Sequence, residues 1–321
     1  MGLLADLADK GYPADYLLSR IKGRRGQLIK DWQPLVFGAA PFESISFSHA
    51  RGLIGIKSPD DVWRNLVQEF RWVYSQMNGM LRRIFYSFFL YTELRTIFIC
   101  LRHIKEKNEG RTGELLAASL LSKDIKTVLA ASKDIKAAVA GTERIFRDVS
   151  PEFGGLMELL DAEGLRGVEQ RLTNTYLVHT MGTDLDPVIR GFFSRIIDSR
   201  NIMSLFKYQR LDSKTKPFFI PSGSIAVARL QEIIENGDVF AVTSLIREVT
   251  GIKAERPDPT LIEGSLYKGI TRFLQKTGKS PFGTGPVMEY LWRYSIEAMN
   301  LCVLFYGKDL ERDSVIAELV Y

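Results

Sequence analysis

A chain of 321 residues, of which 45% are hydrophobic and 25% charged, is long enough to bury a sizeable core. This composition is typical of a folded globular protein and excludes a disordered one. The chain contains 43 Lys and Arg and 38 Asp and Glu, so its net charge is +5, which permits an anionic partner without requiring one. Its two cysteines are too few for a disulfide scaffold.

The first predicted element is a helix with one basic face near the N-terminus. Its apolar residues are Tyr16, Leu17, Leu18, Ile21 and Leu28, and its basic residues are Arg20, Lys22, Arg24, Arg25 and Lys30. Because the apolar residues recur at helical spacing, we interpret the basic face as solvated rather than as a nucleic-acid patch. The preceding stretch "MGLLADLADKGYP" lacks a basic segment followed by a long apolar core, so no signal peptide is predicted.

Two apolar helices follow, one over 60–77 and one through the stretch 84–101. The second contains the longest apolar run of the chain, but Glu93 and Arg95 interrupt it. Because a membrane span needs about 20 mostly apolar residues, we predict the buried helix of a soluble protein here. The stretch "KNEGRTG" at 107–113 is rich in helix breakers and predicts a joint.

A second pair of helices is predicted in the middle of the chain, over 166–181 and from Asp186 onwards. In "DPVIRGFFSRIIDSRNIMSLF" the apolar residues form one stripe with a helical period. Asp186 suits the N-cap, and Pro187 suits the first helical position because no N–H is needed there. At 1.5 Å per residue, a helix from Asp186 to Tyr208 would be about 34 Å long. The prolines of "DSKTKPFFIPSG" at 212–223 then predict a second joint.

The last third of the chain repeats this arrangement, with a predicted helix over 263–278 before the final apolar helix. Within it, "KTGKS" at 276–280 is similar to the end of a phosphate-binding loop. Phe273 stands where that loop requires its first glycine, and the preceding segment has a helical pattern where a strand is required. We therefore predict that Gly278 caps the end of a helix.

Other catalytic and metal-binding patterns are incomplete. Asp60 and Asp61 could begin the paired-aspartate metal motif of an all-helical lyase, but Arg64 occupies the place of the third acid. A helix N-terminus explains the two aspartates better. The three histidines show no metal-ligand spacing. We therefore expect no catalytic residue, no metal and no cofactor.

An acidic residue followed after two spacers by asparagine occurs twice, each time near the end of a predicted helix. The pairs are Asp198 with Asn201 and Glu297 with Asn300, and the prolines that begin the two helices keep the same offset of 99 residues. Repeated sequence at a fixed offset is the mark of a duplicated structural unit.

A weaker third copy lies 105 residues before Asn201, with Glu93 in the acidic place and Thr96 in the place of asparagine. The prediction is an all-α protein of three helical bundles with approximate bounds 1–110, 111–217 and 218–321, related by pseudo-threefold symmetry.

Two roles are open for the acidic and amide side chains. They could hydrogen-bond to neighbouring helices or to the next repeat, which would satisfy buried polar groups. They could instead face an opening where the repeats converge. We favour the first role for Glu93 and Thr96, and both roles stay open for the other two pairs.

Four stretches, in this order, resemble one family over nearly the whole chain. They are "ADYLLSRIKGRRGQLI", "IIDSRNIMSLFKY", "FIPSGSI" and "EYLWRYSIEAMNLCVLFYGKDLERDSVIAELVY". The family is the central-stalk socket protein of V-type and A-type rotary ATPases, which is named d in vacuolar enzymes and C in archaeal and bacterial ones.

The resemblance implies a funnel of three similar bundles and a non-catalytic role. Such a protein would sit on the proteolipid ring of the membrane sector and receive the central shaft, subunits D and F. It would couple their rotation to ion transport as a cytoplasmic, peripheral membrane protein that binds no nucleic acid.

The family's acid-x-x-Asn pattern carries over to the second and third copies, and its early basic pattern carries over to Tyr16, Arg20 and Arg24. Thr96 departs from the pattern. We expect Arg20 and Arg24 to form a basic contact face.

A helical-repeat scaffold or nucleic-acid-binding protein is the alternative. Nucleic-acid binding would require basic residues concentrated on one face, whereas acidic residues are interspersed with them along the whole chain.

Overall fold

The computed structural model describes residues 2–29, 31–37, 58–211, 216–238, 240–252, 259–307 and 309–320. Over these residues it contains fourteen α-helices and no β-strand, so the all-α prediction is confirmed. An isolated antiparallel bridge joins Leu4 to Leu121. The pseudo-threefold funnel stays a prediction.

The helices cover most of the described chain. In chain order they are α1 Ala14–Arg25, α2 Gln33–Val36, α3 Pro59–Gln76, α4 Gly79–Lys105, α5 Glu109–Ala118, α6 Lys123–Ala131, α7 Ile135–Arg147, α8 Leu156–Met181, α9 Pro187–Leu211, α10 Val227–Asn236, α11 Ala241–Thr250, α12 Pro259–Thr277, α13 Thr284–Tyr306 and α14 Arg312–Glu318. The three helices that carry the acidic motif are α4, α9 and α13, and the helices predicted to precede them are α3, α8 and α12.

Two helix starts follow directly from the local sequence. α9 begins at Pro187, and the backbone N–H of Val188 donates to Asp186 Oδ1 at 2.9 Å, so the predicted N-cap is confirmed. At the start of α3, the hydroxyl of Ser58 donates to Asp61 Oδ2 at 3.0 Å. The backbone N–H of Asp61 returns a bond to Ser58 Oγ at 3.3 Å. The aspartate pair therefore lies at a helix N-terminus, as predicted.

The phosphate-loop look-alike is a helix end. α12 runs to Thr277, and the backbone N–H of Gly278 donates to the carbonyl of Leu274 at 2.7 Å. A phosphate-binding loop follows a strand, and the residues before "KTGKS" are helical. The prediction of a C-terminal glycine cap is confirmed.

The joint predicted at 107–113 is wrong for most of its length, because α5 begins at Glu109. Gly110 and Gly113 lie inside this helix on its exposed side, where each costs about 1 kcal/mol relative to alanine. Leu115 and Leu116 are buried farther along the same helix, and their burial offsets that cost. The basic N-terminal helix is also shorter than predicted, since it ends at Arg25; Lys30 lies outside the described residues.

The chain forms two compact units, and α3 belongs partly to each. The first comprises residues 1–14 and 67–184, and the second comprises residues 15–66 and 185–321. This division describes spatial contacts. The three sequence repeats stay a prediction.

In the first unit, α4 packs against α5, α6, α7 and α8. By length and composition α4 could cross a membrane, but 61% of its most apolar window is buried inside the protein. Phe70 of α3 and Phe88 and Phe89 of α4 pack with ring centroids 5.6–5.8 Å apart. The helix therefore packs inside the unit, as predicted from its interrupting charges.

In the second unit, α9 packs against α10, α11, α12 and α13, and α12 also packs against α13 and α14. The rings of Phe192 on α9 and Trp292 on α13 lie 5.5 Å apart. Trp292 Nε1 donates to Thr271 Oγ1 on α12 at 2.8 Å. A Cβ atom added at Gly191 of α9 would lie 2.6 Å from the Phe273 ring, so a residue without a side chain allows α9 and α12 to approach closely.

Candidate functional site

The acidic motifs predicted from the sequence are buried within α4, α9 and α13. We call them motif site 1 (Glu93 and Thr96), motif site 2 (Asp198 and Asn201) and motif site 3 (Glu297 and Asn300). All six side chains are at most 6% exposed. Buried polar groups need hydrogen-bond partners, so the partners of these side chains define what the sites do.

At motif site 2, the side chain of Asn201 pairs with the backbone of Ile220 in both directions. Asn201 Oδ1 accepts the Ile220 N–H at 2.8 Å, and Asn201 Nδ2 donates to the Ile220 carbonyl at 2.8 Å. Ile220 is buried, so its backbone groups cannot turn to water instead. The amide side chain thus fixes the stretch "FIPSGSI" against α9.

Asp198, one turn earlier on α9, binds the end of the same stretch. Its Oδ2 accepts from the Ser224 N–H at 3.1 Å and the Ser224 hydroxyl at 2.6 Å, and its Oδ1 accepts the Ile225 N–H at 3.1 Å. Burial raises the pKa of Asp198, and these donors act in the opposite direction. A Cβ atom at Gly223 would overlap the Asp198 carboxylate, so this position requires glycine.

Motif site 3 has the same amide geometry with a different segment. Asn300 Nδ2 donates to the Val320 carbonyl at 2.8 Å, and Asn300 Oδ1 accepts the Val320 N–H at 3.0 Å. Glu297 Oε2 accepts the Ile29 N–H at 2.7 Å. The C-terminal segment and a segment from the beginning of the chain are therefore both fastened to α13.

At motif site 1, Glu93 Oε1 accepts the Leu120 N–H at 2.5 Å. Thr96 has a single hydroxyl where the other two copies have an amide, so it lacks the separate donor and acceptor atoms of asparagine. An N-terminal segment supplies backbone pairing instead, because the Ala5 N–H donates to the Leu120 carbonyl at 2.7 Å and the Ser122 N–H donates to the Leu3 carbonyl at 2.9 Å.

The three sites share one chemical task, which is to hold a non-helical segment by its backbone. Glu93 binds residue 120 and Asp198 binds residue 225, in each case 27 residues later in the chain. In terms of the predicted repeats, each of these acids binds the backbone of the following repeat. Glu297, in the third repeat, binds Ile29 of the first.

Ion pairs between arginine and glutamate side chains connect α1 to α13 beside motif site 3. Arg25 Nη2 lies 3.1 Å from Glu289 Oε1, and Arg293 Nη1 lies 3.7 Å from the same oxygen. Glu289 is buried, which raises its pKa, while both arginines lower it. Arg293 also faces Glu297 one turn later. A cavity of about 170 Å³ opens there, and Trp32 and Glu297 contribute to its wall.

The predicted basic contact face lies on α1. Arg20 Nη1 donates to the Tyr16 hydroxyl at 2.7 Å, and its guanidinium stacks over the Tyr16 ring at 5.5 Å. Arg24 is half-buried on the same helix, and the exposed Lys22 lies between the two arginines in sequence. The contact role of Arg20 and Arg24 stays a prediction.

Sequence reasoning did not identify Glu289, Gly223 or Ile29 as members of these sites. The one available signal was the position of Glu289, eight residues before Glu297, which places both acids on the same face of α13. Gly223 lies within the quoted stretch "FIPSGSI", but its role depends on how closely the carboxylate approaches. Ile29 contributes only its backbone N–H, which no side-chain pattern reveals.

The model of a family described as ATP synthase (C/AC39) subunit matches residues 61–319 of the chain. No curated protein matches the chain significantly.

Proposed function

Because the chain belongs to the ATP synthase (C/AC39) subunit family, we propose that it is the non-catalytic central-stalk subunit of a V/A-type rotary ATPase or ATP synthase. In this role it transmits rotation between the central shaft, subunits D and F, and the proteolipid ring of the membrane sector. The family match over residues 61–319 is the observation that carries the proposal.

The architecture supports a mechanical role. A coupling element must transmit torque without deforming, and helices such as α4, α9 and α13 are long paired rods. The motif sites add stiffness, since each holds a non-helical segment to one of these rods by buried hydrogen bonds. We infer a cytoplasmic location with peripheral attachment to the membrane through the complex. We also infer that three bundles related by pseudo-threefold symmetry form a funnel for the shaft.

Membrane vesicles test the coupling role. Vesicles from cells that lack this chain should retain ATP hydrolysis by the head of the enzyme but lose ATP-driven ion uptake, and the wild-type chain should restore uptake. The chain with Asn236→Ala, an exposed position at the end of α10, is a matched control and should restore uptake equally. Ion uptake in proportion to hydrolysis without the chain would overturn the proposal.

The partners can be tested separately. An affinity-tagged chain isolated from detergent-solubilised membranes should bring down the proteolipid and the two shaft subunits. Recovery of nucleic acid without these subunits would instead favour the scaffold alternative, which no observation on this structure supports.

A further inference from the structure

We propose that residues 15–29 form a clasp on α13 whose closure is strongest when Glu297 is protonated and weakens when Glu297 is ionised. The inference goes beyond the proposed function and does not depend on it. We call these residues the N-terminal clasp.

Two polar contacts hold the N-terminal clasp to one face of α13. The Ile29 N–H donates to Glu297 at 2.7 Å, and Arg25 pairs with Glu289 at 3.1 Å. Eight residues separate the two acids, which is about two helical turns. The clasp is therefore held by polar contacts at two levels of the helix, in addition to its buried side chains Leu17, Ile21 and Leu28.

Glu297 is poorly compensated as a buried anion. Among the described residues it accepts one backbone N–H, whereas Asp198 at the equivalent position accepts three hydrogen bonds. Burial is the largest influence and raises the pKa of Glu297 to about 7; the Ile29 N–H and Arg293 lower it only in part. The carboxyl group therefore changes charge near neutral pH.

The surroundings of Glu297 offer little further compensation. On its own helix it faces Arg293, whose guanidinium also faces Glu289, which in turn pairs with Arg25 of the clasp. Thr271 and Gln275 of α12 line the cavity beside Glu297, and both side chains are uncharged. The remaining described wall residues are Leu28, Ile29, Trp32, Ile296, Asn300 and Val320, and none of them carries a charged side chain.

The cavity gives the ionised group a route to water. It has a volume of about 170 Å³, enough for several water molecules, and Leu28 of the clasp forms part of its wall. When Glu297 ionises, hydration favours the open form because an open clasp exposes the carboxylate. An exposed glutamate has an ordinary pKa of 4.5, whereas burial in the closed form raises the pKa of Glu297 to about 7, so closure weakens as pH rises between these two values.

Hydrogen exchange of the 321-residue chain measures the clasp directly. We expect the protection of the Ile29 amide, normalised to the chemical exchange rate at each pH, to fall on the order of 30-fold between pH 5.5 and 8.5. In Glu297→Gln, which has a similar size and no charge, protection should stay constant over this range. Amides in the middle of α13 serve as the internal reference for global unfolding.

Asp198→Asn is the matched control, because it neutralises the corresponding acid of motif site 2 and should leave the pH profile of Ile29 unchanged. The same fall in wild type and Glu297→Gln, a flat wild-type profile, or a parallel fall in α13 would each overturn the proposal. If Glu297→Gln does not fold, Arg293→Gln tests the same point. Loss of this cation should raise the closed-form pKa and lower the protection of the Ile29 amide further than in the wild type above pH 7, and an unchanged profile would contradict the clasp.

Discussion

Replacing Asn201 with alanine removes both side-chain atoms that pair with the backbone of Ile220. Ile220 is 2% exposed, so its N–H and carbonyl would lose their partners without gaining contact with water. Each buried polar group left unsatisfied costs about 1–3 kcal/mol. We therefore expect Asn201→Ala to lower the free energy of unfolding by about 2–5 kcal/mol, a large part of the roughly 5–15 kcal/mol that stabilises a typical protein.

Urea unfolding followed by circular dichroism measures this loss, and hydrogen exchange of Ile220 locates it. Asn236→Ala removes the same side chain from the exposed end of α10 and should change the stability by less than about 0.5 kcal/mol. Asn201→Asp separates the two bonds, since it keeps the acceptor for the Ile220 N–H but places an oxygen opposite the Ile220 carbonyl. It should also destabilise the protein.

A result in which Asn201→Ala and Asn236→Ala unfold at the same urea concentration would refute the reasoning, provided that the Ile220 amide also stays protected. It would mean that the stretch "FIPSGSI" is held by its apolar contacts alone. A local loss of protection at Ile220 without a change in the unfolding midpoint would restrict the role of Asn201 to anchoring this segment.

Substitutions at Gly223 and Glu93 test the same view of the motif sites. Gly223→Ala places a methyl group against the Asp198 carboxylate and should lower the free energy of unfolding in urea by about 1–3 kcal/mol. The control is Gly264→Ala on α12, where an added Cβ meets no atom within 4 Å, and it should raise the free energy of unfolding by up to about 1 kcal/mol. At motif site 1, burial raises the pKa of Glu93, so the wild type should lose stability as pH rises through that pKa, and Glu93→Gln should abolish this loss. Glu93→Ala should instead lower stability by about 1–3 kcal/mol at every pH, because the fully buried Leu120 N–H loses its acceptor; equal pH profiles for wild type and Glu93→Gln would contradict this view.

The departure of the first motif from the sequence pattern has a physical counterpart in the structure. Asparagine can pair with a backbone in both directions because its amide contains a donor and an acceptor on one plane. Threonine offers one hydroxyl oxygen instead of two separate amide atoms, and at motif site 1 the backbone of residues 3–5 pairs with residues 120–122. The three sites thus hold non-helical segments in two different ways, by an asparagine side chain at sites 2 and 3 and by another backbone segment at site 1.

Much of the fold followed from local sequence. The helical period of the apolar residues predicted the helices that precede and contain the motifs. Asp186 correctly marked the start of α9, and Gly278 correctly marked the end of α12. These signals are reliable because capping and helical periodicity involve residues within a few positions of each other. The prediction of a joint was wrong over 109–113, where Gly110 and Gly113 were interpreted as helix breakers although the burial of later leucines sustains α5.

The sequence by itself determined that the chain is helical, that its acidic motif recurs, and which family it resembles. Only the tertiary structure decided what the motif binds. Glu297 meets the N–H of Ile29, which lies 268 residues away, and a backbone N–H carries no sequence signature. A helical period tells which side of α13 is polar, but the segment that packs against that side is chosen by the long-range packing of the whole second unit.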